Sequence, residues 1–429
     1  MTGTYQPYPE YRDTGNDWLP EIPDHWTCAS FRHALNGIKN GSTATQVDEG
    51  ENTVPISRIE TISKGEVDFT KVGHVLNTTG LQTYKLNEGD ILFSHINSLP
   101  MVGNVAQYLS DAPLYHGMNL LRLQASQKLD DRFLLWWLKS SFFRQSVEAS
   151  AKPAINQASI GIEQLKSISC FYPALSEQQT IAAFLDYETA RIDQLIAKQQ
   201  RLIELLKEKI LALALTSFDQ SEAQQSRLAH ISDLVARPVS QEEGELYTPI
   251  GLFNRGRGLF HKAPREKEEM GDSDFFWVKE GDLILSGQFA WEGAVALAGQ
   301  IEDNCVVSHR YPVLRGKEGI ALTEYLYALF LTKHGDFLLN QNSRGAAGRN
   351  RPLNIRSLLK EKVPLPPMST QQEVAKAVHW RVNVQKKLQR QLHFLQERRT
   401  ALISAAVTGK IDLRGWVAPV STKQGQDAA

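Results

Sequence analysis

Cysteine is scarce in this chain of 429 residues. The three cysteines, Cys28, Cys170 and Cys305, lie far apart, and no two of them form the C-x-x-C pair of a zinc or redox site. Three scattered cysteines also do not provide the disulfide framework of a small secreted protein. We therefore expect a protein of the reducing cytoplasm without a cysteine-bound metal.

Long apolar runs are missing as well. The strongest, FLLWWL at 133–138 and ILALAL at 210–215, are far shorter than the roughly 20 residues that a membrane-spanning helix needs. The N-terminal segment MTGTYQPYPEYRDTGNDW lacks the apolar core of a signal peptide. We expect a soluble protein with no membrane partner.

Neither sign of charge dominates, since 47 basic and 48 acidic residues give a formal net charge of −1. Any binding to DNA must therefore depend on local clusters of charge. The sequence has no GxxxxGK[ST] phosphate loop, no GxGxxG after a strand, no Asn/Asp-Pro-Pro-aromatic run and no paired nucleophile and base. These absences predict a chain that does not catalyse bond chemistry alone.

An internal repeat is the most specific signal in the chain. PALSEQQ at 173–179 returns as PPMSTQQ at 366–372, and EGDILFS at 88–94 returns as EGDLILS at 280–286. The offset between the copies is 192 or 193 residues throughout. Such a constant offset predicts a duplication, in which a globular unit followed by a long helix occurs twice.

Both copies of the repeated phrase predict the start of a helix. Ser176 with Gln179, and Ser369 with Gln372, have the Ser-x-x-Gln spacing of a capping box, in which the serine and glutamine side chains bond each other's backbone amides. No glycine or proline lies within 177–215 or 369–408, so each helix can continue for some 35 residues or more.

Apolar residues in both helices recur at the heptad spacing of a coiled coil. In the first helix they are Leu185, Ile192, Leu206 and Leu213 on one line and Ile181, Leu195 and Leu202 on the other; in the second they are Val374, Leu388, Leu395 and Leu402, with Val378 and Leu392. Residues 176–210 have a net charge of −1 and residues 373–399 of +5, which favours pairing between the two helices. The alternative is two solvated helices, each packed on its own domain.

The globular units contain short β-rich runs punctuated by Gly, Asn and Asp, and each run of strands is followed by a helix near 130–147 or 322–340. The predicted class is therefore α+β. We expect a first globular domain at 1–175, a first long helix at 176–217, a second domain at 218–368, a second helix at 369–412 and a tail at 413–429.

Candidate DNA-binding residues come from loops with local positive charge or base-reading side chains. FNRGRGLFHKAPR at 253–265 and SRGAAGRNRPLNIR at 343–356 contain arginines and no acid, and guanidinium groups suit phosphates and guanine edges. The candidates are Asn40, Ser42, Thr43, His95, Asn97 and Lys152 in the first unit, and Arg255, Arg257, Lys262, Gln288, Trp291, Arg344, Arg349 and Arg351 in the second.

These candidates have structural alternatives. The Asn, Ser and His residues of the first unit are also ordinary loop residues, and Trp291 in GQFAWEG is also a packing residue. His116 and His309 have no nearby ligand partner in the sequence, so we interpret them as structural rather than metal-binding or catalytic.

The motifs WLPEIPDHW at 18–26, the two EGD strands, PALSEQQ, PPMSTQQ, LLKEK and ERRTALISAAVTGKIDL at 397–413 together resemble the specificity subunit of type I restriction-modification systems. The resemblance covers nearly the whole chain. It implies a non-catalytic subunit with two target-recognition domains in a pseudo-twofold repeat, separated by two antiparallel helices. Each domain would read one half of a bipartite double-stranded DNA site through the major groove.

The resemblance also implies partners and cofactors. The helices would set the spacing between the half-sites and dock two modification subunits, which carry S-adenosylmethionine and methylate adenine N6. Motor-nuclease restriction subunits, which use ATP and Mg, would join the complex. No cofactor would bind this chain itself. The alternatives are a coiled-coil scaffold with two β-rich protein-binding modules, and an enzyme with an unrecognised site.

Overall fold

The computed structural model describes residues 5–154, 157–218, 224–240, 244–271, 273–345 and 351–419. The chain divides into two compact units: unit 1 comprises residues 1–196 and 392–429, and unit 2 comprises residues 197–391. The division runs through both long helices, so each helix contributes one part to unit 1 and the other part to unit 2.

Unit 1 is a β-rich module with three short helices before the first long helix. Its strands are β1 (Tyr11–Asp13), β2 (Glu21–Pro23), β3 (Thr27–Ser30), β4 (Leu35–Asn40), β5 (Gln46–Val47), β6 (Thr53–Ile56), β7 (Gly73–Leu76), β8 (Ile91–Ser94), β9 (Ile96–Asn97), β10 (Val105–Gln107), β11 (Leu120–Ala125), β12 (Lys152–Ala154), β13 (Gln157–Ser159) and β14 (Ser169–Tyr172). Its short helices are α1 (Asp131–Leu138), α2 (Ser141–Ser150) and α3 (Ile162–Ser167), and α4 (Leu175–Phe218) is the first long helix.

The main sheet of unit 1 is antiparallel, with strand order β10-β8-β11-β4. All four residues of the central strand β8 are buried, because the strand lies between β10 and β11, and the apolar helix α1 packs against both of these neighbours. The Trp137 ring of α1 stacks on Phe31 with 5.1 Å between ring centres. A smaller antiparallel sheet, β12-β13-β9, extends from the end of β8.

Unit 2 repeats this plan. Its elements are β15 (Gln224–Arg227), α5 (Leu228–Ile231), β16 (Ser232–Val235), β17 (Ile250–Leu252), β18 (Leu259–His261), α6 (Lys267–Met270), β19 (Phe275–Trp277), β20 (Leu283–Leu285), β21 (Val295–Leu297), β22 (Val306–Ser308), β23 (Val313–Gly316), α7 (Thr323–Phe330), α8 (Lys333–Gln341), α9 (Ile355–Leu358), β24 (Lys362–Leu365) and α10 (Met368–Val407). The main sheet has the order β16-β23-β20-β21, and α7 packs against it as α1 does in unit 1. The α+β class and the duplication are thus confirmed.

The helices predicted near 130–147 and 322–340 are each two helices. Ser140 ends the first run in unit 1 because its side chain accepts a hydrogen bond from the backbone N–H of Phe143 and caps α2. Thr332 does the same for α8 through the N–H of Gly335. Hydroxyl side chains at this position favour a new helix start over continuation.

The repeated EGD motif forms a turn that enters a buried strand. The glycine of each motif has a positive φ, 90° in unit 1 and 81° in unit 2, which glycine adopts without strain. Asp90 and Asp282 each accept a hydrogen bond from the backbone N–H three residues earlier, at 2.9 and 2.8 Å. Each also pairs with an arginine of the neighbouring strand, Arg122 at 3.6 Å and Arg315 at 2.5 Å.

The two long helices begin before the serines of the repeated phrase. Since α4 starts at Leu175 and α10 at Met368, Ser176 and Ser369 lie within the first turn rather than at its cap, and the capping-box prediction is wrong. In unit 1 the carbonyl of Ala174 already accepts the first helical hydrogen bonds. The first glutamine of each pair, not the second, makes the bonds to the preceding loops.

Gln178 holds two loops of unit 1 against the start of α4. Its Nε2 donates to the carbonyl oxygens of Pro173 at 2.8 Å and Lys128 at 2.9 Å, and its Oε1 accepts from the Asp130 N–H at 2.8 Å. In unit 2 the same three bonds run from Gln371 to Pro366, Ile320 and Leu322, at 3.0, 3.1 and 2.9 Å.

The two long helices pack against each other in antiparallel fashion, as predicted. In unit 1, Arg399 of α10 donates through Nε and Nη2 to the Asp193 carboxylate of α4, at 2.9 and 3.1 Å. In unit 2, Gln199 of α4 bonds Gln391 of α10 at 3.3 Å. The ion pair agrees with the opposite charges of the two helices.

Only part of the predicted apolar seam is buried. Leu185, Ile192 and Leu402 in unit 1 are at most 3% exposed. Leu195 and Leu202, however, are 48% and 43% exposed, so the prediction that they lie in the seam is wrong. In the part of the chain that the structure describes, no helix is long and apolar enough to cross a membrane.

Candidate nucleic-acid interface

In unit 2 the hairpin turn between β17 and β18 carries two of the candidate arginines. The Arg255 backbone has a positive φ of 59°, and its N–H donates to the carbonyl oxygen of Glu292 at 2.9 Å. The next residue, Gly256, donates to Gly293 at 2.8 Å. The turn is therefore fixed against the residues around Trp291, and the Arg255 and Arg257 side chains are exposed beside it.

A second segment, which begins at Ser343 and ends at Leu353, also lies next to the residues around Trp291. Ser343 and Leu353 form an isolated β-bridge that closes its base, and the Leu353 N–H donates to the carbonyl oxygen of Gly287 at 2.8 Å. The loop thereby brings Arg351 to Trp291, with 5.0 Å between the guanidinium carbon and the ring centre. The Trp291 Nε1 donates to the carbonyl oxygen of Gln288 at 3.1 Å.

We call Arg255, Arg257, Gln288, Trp291, Arg344 and Arg351 the arginine surface. Its four arginines and Gln288 are exposed, and Trp291 is partly exposed. Guanidinium groups beside an aromatic ring can contact phosphates, guanine edges and base faces. Arg349 lies outside the described residues. Lys262 is exposed just after β18, and its N–H bonds Pro249.

In unit 1 the small sheet β12-β13-β9 brings three candidates together. Asn97 in β9 pairs with Ala158 in β13, and Lys152 in β12 pairs with Ser159 in β13. The Ile160 N–H donates to the His95 carbonyl oxygen at 3.0 Å, at the position equivalent to the Leu353 bond of unit 2. The repeat therefore places Lys152 and Arg344, which are 192 residues apart, on corresponding loops.

The side chains of this small sheet and of the adjacent His95 differ in exposure, in charge and in the hydrogen bonds that they already make. Lys152 is exposed. The Asn97 amide already donates to Ser94 at 3.1 Å and accepts from the Ser98 N–H at 2.8 Å. Burial lowers the pKa of His95, and among the described residues its buried Nδ1 has no hydrogen-bond partner. His95 is therefore neutral at pH 7 and contributes no positive charge.

Asn40, Ser42 and Thr43 follow the end of strand β4. Asn40 and Thr43 are exposed, whereas Ser42 is 6% exposed and its hydroxyl accepts from the Ala44 N–H at 3.2 Å. Between them, a Cβ on Gly41 would lie 1.9 Å from the carbonyl oxygen of Gly117, so the close passage of the two backbones requires glycine. Asn40 and Thr43 are the residues of this segment that a ligand can reach.

His116 has a structural role. It is 1% exposed, and its Nε2 donates to the Leu120 carbonyl oxygen at 3.0 Å. Burial lowers the pKa of His116 to about 4, so the ring is neutral. Among the described residues no group of three or more His, Cys, Asp and Glu side chains could hold a metal ion.

The sequence did not reveal the residues that position the arginine surface. Asn254 hydrogen-bonds Glu292, and the backbone of Glu292 and Gly293 holds the turn that carries Arg255. These partners are nearly 40 residues apart in the chain, and no motif connects them.

A family model for the type I restriction modification DNA specificity domain matches residues 37–205 and 256–392. The chain is 27% identical over 426 residues to a protein of Methanocaldococcus jannaschii assigned as the type I restriction enzyme MjaX specificity subunit, covering 92% of this chain and 96% of that protein. It is 21% identical to the type I restriction enzyme StySPI specificity subunit of Salmonella potsdam, covering 83% of this chain and 82% of that protein.

A solved structure described as the basis of complex assembly and conformational transition of the type I R-M system contains a chain with a similar fold. The TM-score is 0.58 and the identity 14%, over 91% of this chain and 99% of that chain. The likeness agrees with the duplicated α+β architecture and the two long helices.

Proposed function

Because the chain belongs to the family of type I restriction-modification DNA specificity subunits, we propose that each of its two target-recognition domains reads one half of a bipartite DNA site. The chain is the non-catalytic DNA specificity subunit of such a system. The recognition domains are proposed to span residues 1–175 and 218–368, and the tail residues 413–429. The two spacer segments are proposed to span residues 176–217 and 369–412, and the second of them is helical only to Val407.

The proposed DNA contacts in unit 2 are supported by one observation: three segments that are distant in the sequence meet at Trp291. The hairpin turn at 253–258, the turn at 290–293 and the described residues 343–345 and 351–353 meet there, and together they present four exposed arginines. Arginine is the residue best suited to bidentate contacts with guanine and phosphate. In unit 1 the proposed DNA contacts are Lys152, which corresponds to Arg344 in the repeat, together with Asn40, Ser42, Thr43, His95 and Asn97.

The helices are proposed to set the distance between the half-sites and to dock two modification subunits. Apolar side chains that the helix pair leaves exposed support docking: Leu195 and Phe394 in unit 1 are 48% and 65% exposed, and Leu205 and Trp380 in unit 2 are 44% and 52% exposed. Exposed apolar patches on long helices are typical of partner interfaces.

The reaction itself belongs to the partners. We propose that the modification subunits bind S-adenosylmethionine and methylate adenine N6, and that motor-nuclease restriction subunits with ATP and Mg complete the complex in the cytoplasm. This chain would select the sequence and bind no cofactor.

An exchange of recognition domains tests the proposal. The assembled complex is expressed with its own residues 225–366 or with the corresponding segment of a related specificity subunit, and N6-methyladenine is mapped in the host genome. We expect the exchange to change one half of the methylated sequence and to leave the other half unchanged. If the methylated sequence stayed the same, or if the wild-type complex bound DNA without a steep salt dependence, a protein scaffold would be the better reading.

A further inference from the structure

Unit 1 contains a basic cavity, and none of the candidate DNA-binding residues lines it. Its volume is about 320 Å³, and it lies between the segment 63–65, the segment 103–105 at the start of β10, the C-terminal end of α1, Arg144 of α2 and Arg399 of α10. Four cationic side chains line it, and no carboxylate is among the described residues of its wall. The four are Lys64, Lys139, Arg144 and Arg399.

Two of these cations are held in place by neutral groups. Lys139 Nζ donates to the Gly65 carbonyl oxygen at 3.1 Å. Arg144 donates through Nη1 to the Val102 carbonyl oxygen at 2.7 Å and through Nη2 to Asn104 Oδ1 at 2.9 Å. These bonds orient both side chains at the cavity but leave their positive charges unneutralised.

The other two cations add to the excess charge. Arg399 pairs with Asp193 through Nε and Nη2, and its Nη1 takes no part in that ion pair. Lys64 is exposed at the rim of the cavity. Two carboxylates just outside the cavity, Asp193 and Glu66, act on its cations, so four positive charges face two negative ones and leave an excess of about two positive charges.

The pKa of Lys139 reflects the same excess of positive charge in the cavity. Burial, followed by the Arg399 and Arg132 guanidinium groups, lowers the pKa of Lys139 to about 8, although Glu66 and Asp193 act in the opposite direction. A lysine whose charged form is disfavoured by burial and by other cations is stabilised when an anion binds beside it.

We propose that this cavity binds a phosphate group. Four cationic side chains can each contact one of the several charged oxygens of a phosphate, whereas a carboxylate offers only two. A neighbouring cavity of about 480 Å³ shares Gly65, Lys139 and Arg399 with it. Its wall also contains Trp136 and the carboxylates of Glu66, Asp186 and Asp193, so it offers room for a neutral or cationic part of the molecule that carries the phosphate. The source is either a small phosphorylated molecule or the DNA backbone, and only the second rests on the proposed function.

The first arm of the test uses inorganic phosphate and the purified full chain. The variant is Lys64→Gln with Lys139→Gln, and the control with the same change in charge is Lys71→Gln with Lys166→Gln, since both control lysines lie in unit 1 and pair with acids away from the cavity. Calorimetry in chloride buffer should give saturable phosphate binding by the wild type and the control, and at least tenfold weaker binding by the variant. Lys64→Gln alone changes an exposed side chain and should weaken binding without affecting the fold.

The second arm uses the assembled complex and DNA that contains its target. If a backbone phosphate occupies the cavity, the double variant should reduce the slope of log K against log salt by about 0.9, the value for one lost contact, and leave the target sequence unchanged. Loss of phosphate binding with an unchanged slope assigns the cavity to a small phosphorylated molecule.

The inference is overturned if variant and control match in both arms. It is equally overturned if the variant impairs only assembly with the modification subunits, since the cavity would then hold a partner's carboxylate. Failure of the proposed function would give a different result. The wild-type complex would then not select a DNA sequence, whereas phosphate binding by the purified chain could still be measured.

Discussion

The guanidinium group of Arg351 lies 5.0 Å from the centre of the Trp291 ring, although the two residues are 60 positions apart in the sequence. The contact places a planar cation and an aromatic ring side by side on an exposed surface. Such a pair can be rearranged by a base or phosphate at modest cost, because an exposed cation–π contact is worth only about 0.5–1 kcal/mol.

Replacement of Arg351 by glutamine should weaken target binding by the assembled complex. A lost arginine contact to a base or phosphate typically costs about 1–3 kcal/mol, or roughly 5- to 150-fold in affinity. Filter binding at several salt concentrations measures the change. Arg227→Gln is the matched control, since Arg227 is also exposed in unit 2 and should leave affinity unchanged. Equal affinity of both variants would give Arg351 a purely structural role.

Replacement of Gln178 by leucine should destabilise unit 1. The side chain is fully buried and makes three hydrogen bonds, so leucine leaves two carbonyl groups and one N–H without their partner. Each unsatisfied buried group costs about 1–3 kcal/mol, and we expect the free energy of unfolding to fall by at least that amount. Urea denaturation followed by circular dichroism measures it.

Gln179→Leu provides the control for that experiment, because Gln179 is the exposed second glutamine of the phrase. Its substitution should change stability by no more than about 0.5 kcal/mol. A larger effect at Gln179 than at Gln178 would restore the capping-box interpretation.

His116 should make the stability of unit 1 depend on pH. Its folded-state pKa of about 4 is below the value of about 6.5 in an unfolded chain, so the unfolded state binds more protons between these values. Stability should therefore fall as pH decreases from 6.5 to 4, by on the order of 3 kcal/mol for this one group. Urea unfolding at pH 7 and pH 5 should show a smaller difference for His116→Gln than for the wild type.

His309 is the matching histidine of the repeat, and it is exposed. His309→Gln should retain the full pH dependence of the wild type. If His116→Gln retained it as well, other groups would have to account for the loss of stability in acid.

The pKa of Lys139 predicts how phosphate binding varies with pH. With a pKa of about 8 the ammonium group loses most of its remaining charge between pH 8 and pH 9.5, where inorganic phosphate stays largely dianionic, so affinity for phosphate should decrease over this range. Bound phosphate should in turn raise the pKa of Lys139, because it favours the charged form. NMR titration of ¹³C-methylated lysines measures both effects, and a Lys139 pKa that does not respond to phosphate would contradict the assignment.

Insertion of four helical residues into each long helix should change the spacing of the DNA site. An insertion after Lys198 in α4 and after Arg390 in α10 lengthens both helices by about 6 Å, which equals nearly two base pairs. Modification assays on DNA with varied spacers should then favour a longer spacer. A variant with the four neighbouring residues replaced but none inserted should keep the original spacer, and an unchanged preference after insertion would refute a spacing role for the helices.

Patterns in the sequence predicted most of the fold. The constant offset of the repeat predicted two equivalent units, because each short motif occurs again in the same order. Uninterrupted apolar periodicity predicted two long helices that pair, because this signal is encoded by residues close in sequence. The same periodicity wrongly placed Leu195 and Leu202 in the seam. Heptad spacing shows which residues share a face of a helix, but it does not show how far the partner helix covers that face.

The candidate sites were harder to predict. Clusters such as Arg255 with Arg257 are visible in the sequence because glycines and arginines alternate there. The basic cavity was not visible, since its four cations come from positions 64, 139, 144 and 399 and meet only after the helix of the second repeat has packed on the first module. No spacing rule connects residues from such separate elements.

The division of the chain through the long helices has a genetic consequence. Unit 2 is one uninterrupted stretch, whereas the core of unit 1 includes Leu402, Ile403 and Leu413 from the far end of the polypeptide. A nonsense mutation near codon 392 would therefore leave unit 2 whole but remove part of the core of unit 1, although most of unit 1 is made before unit 2. The core of unit 1 is therefore complete only after the ribosome has made residues 402–413, long after the rest of that unit.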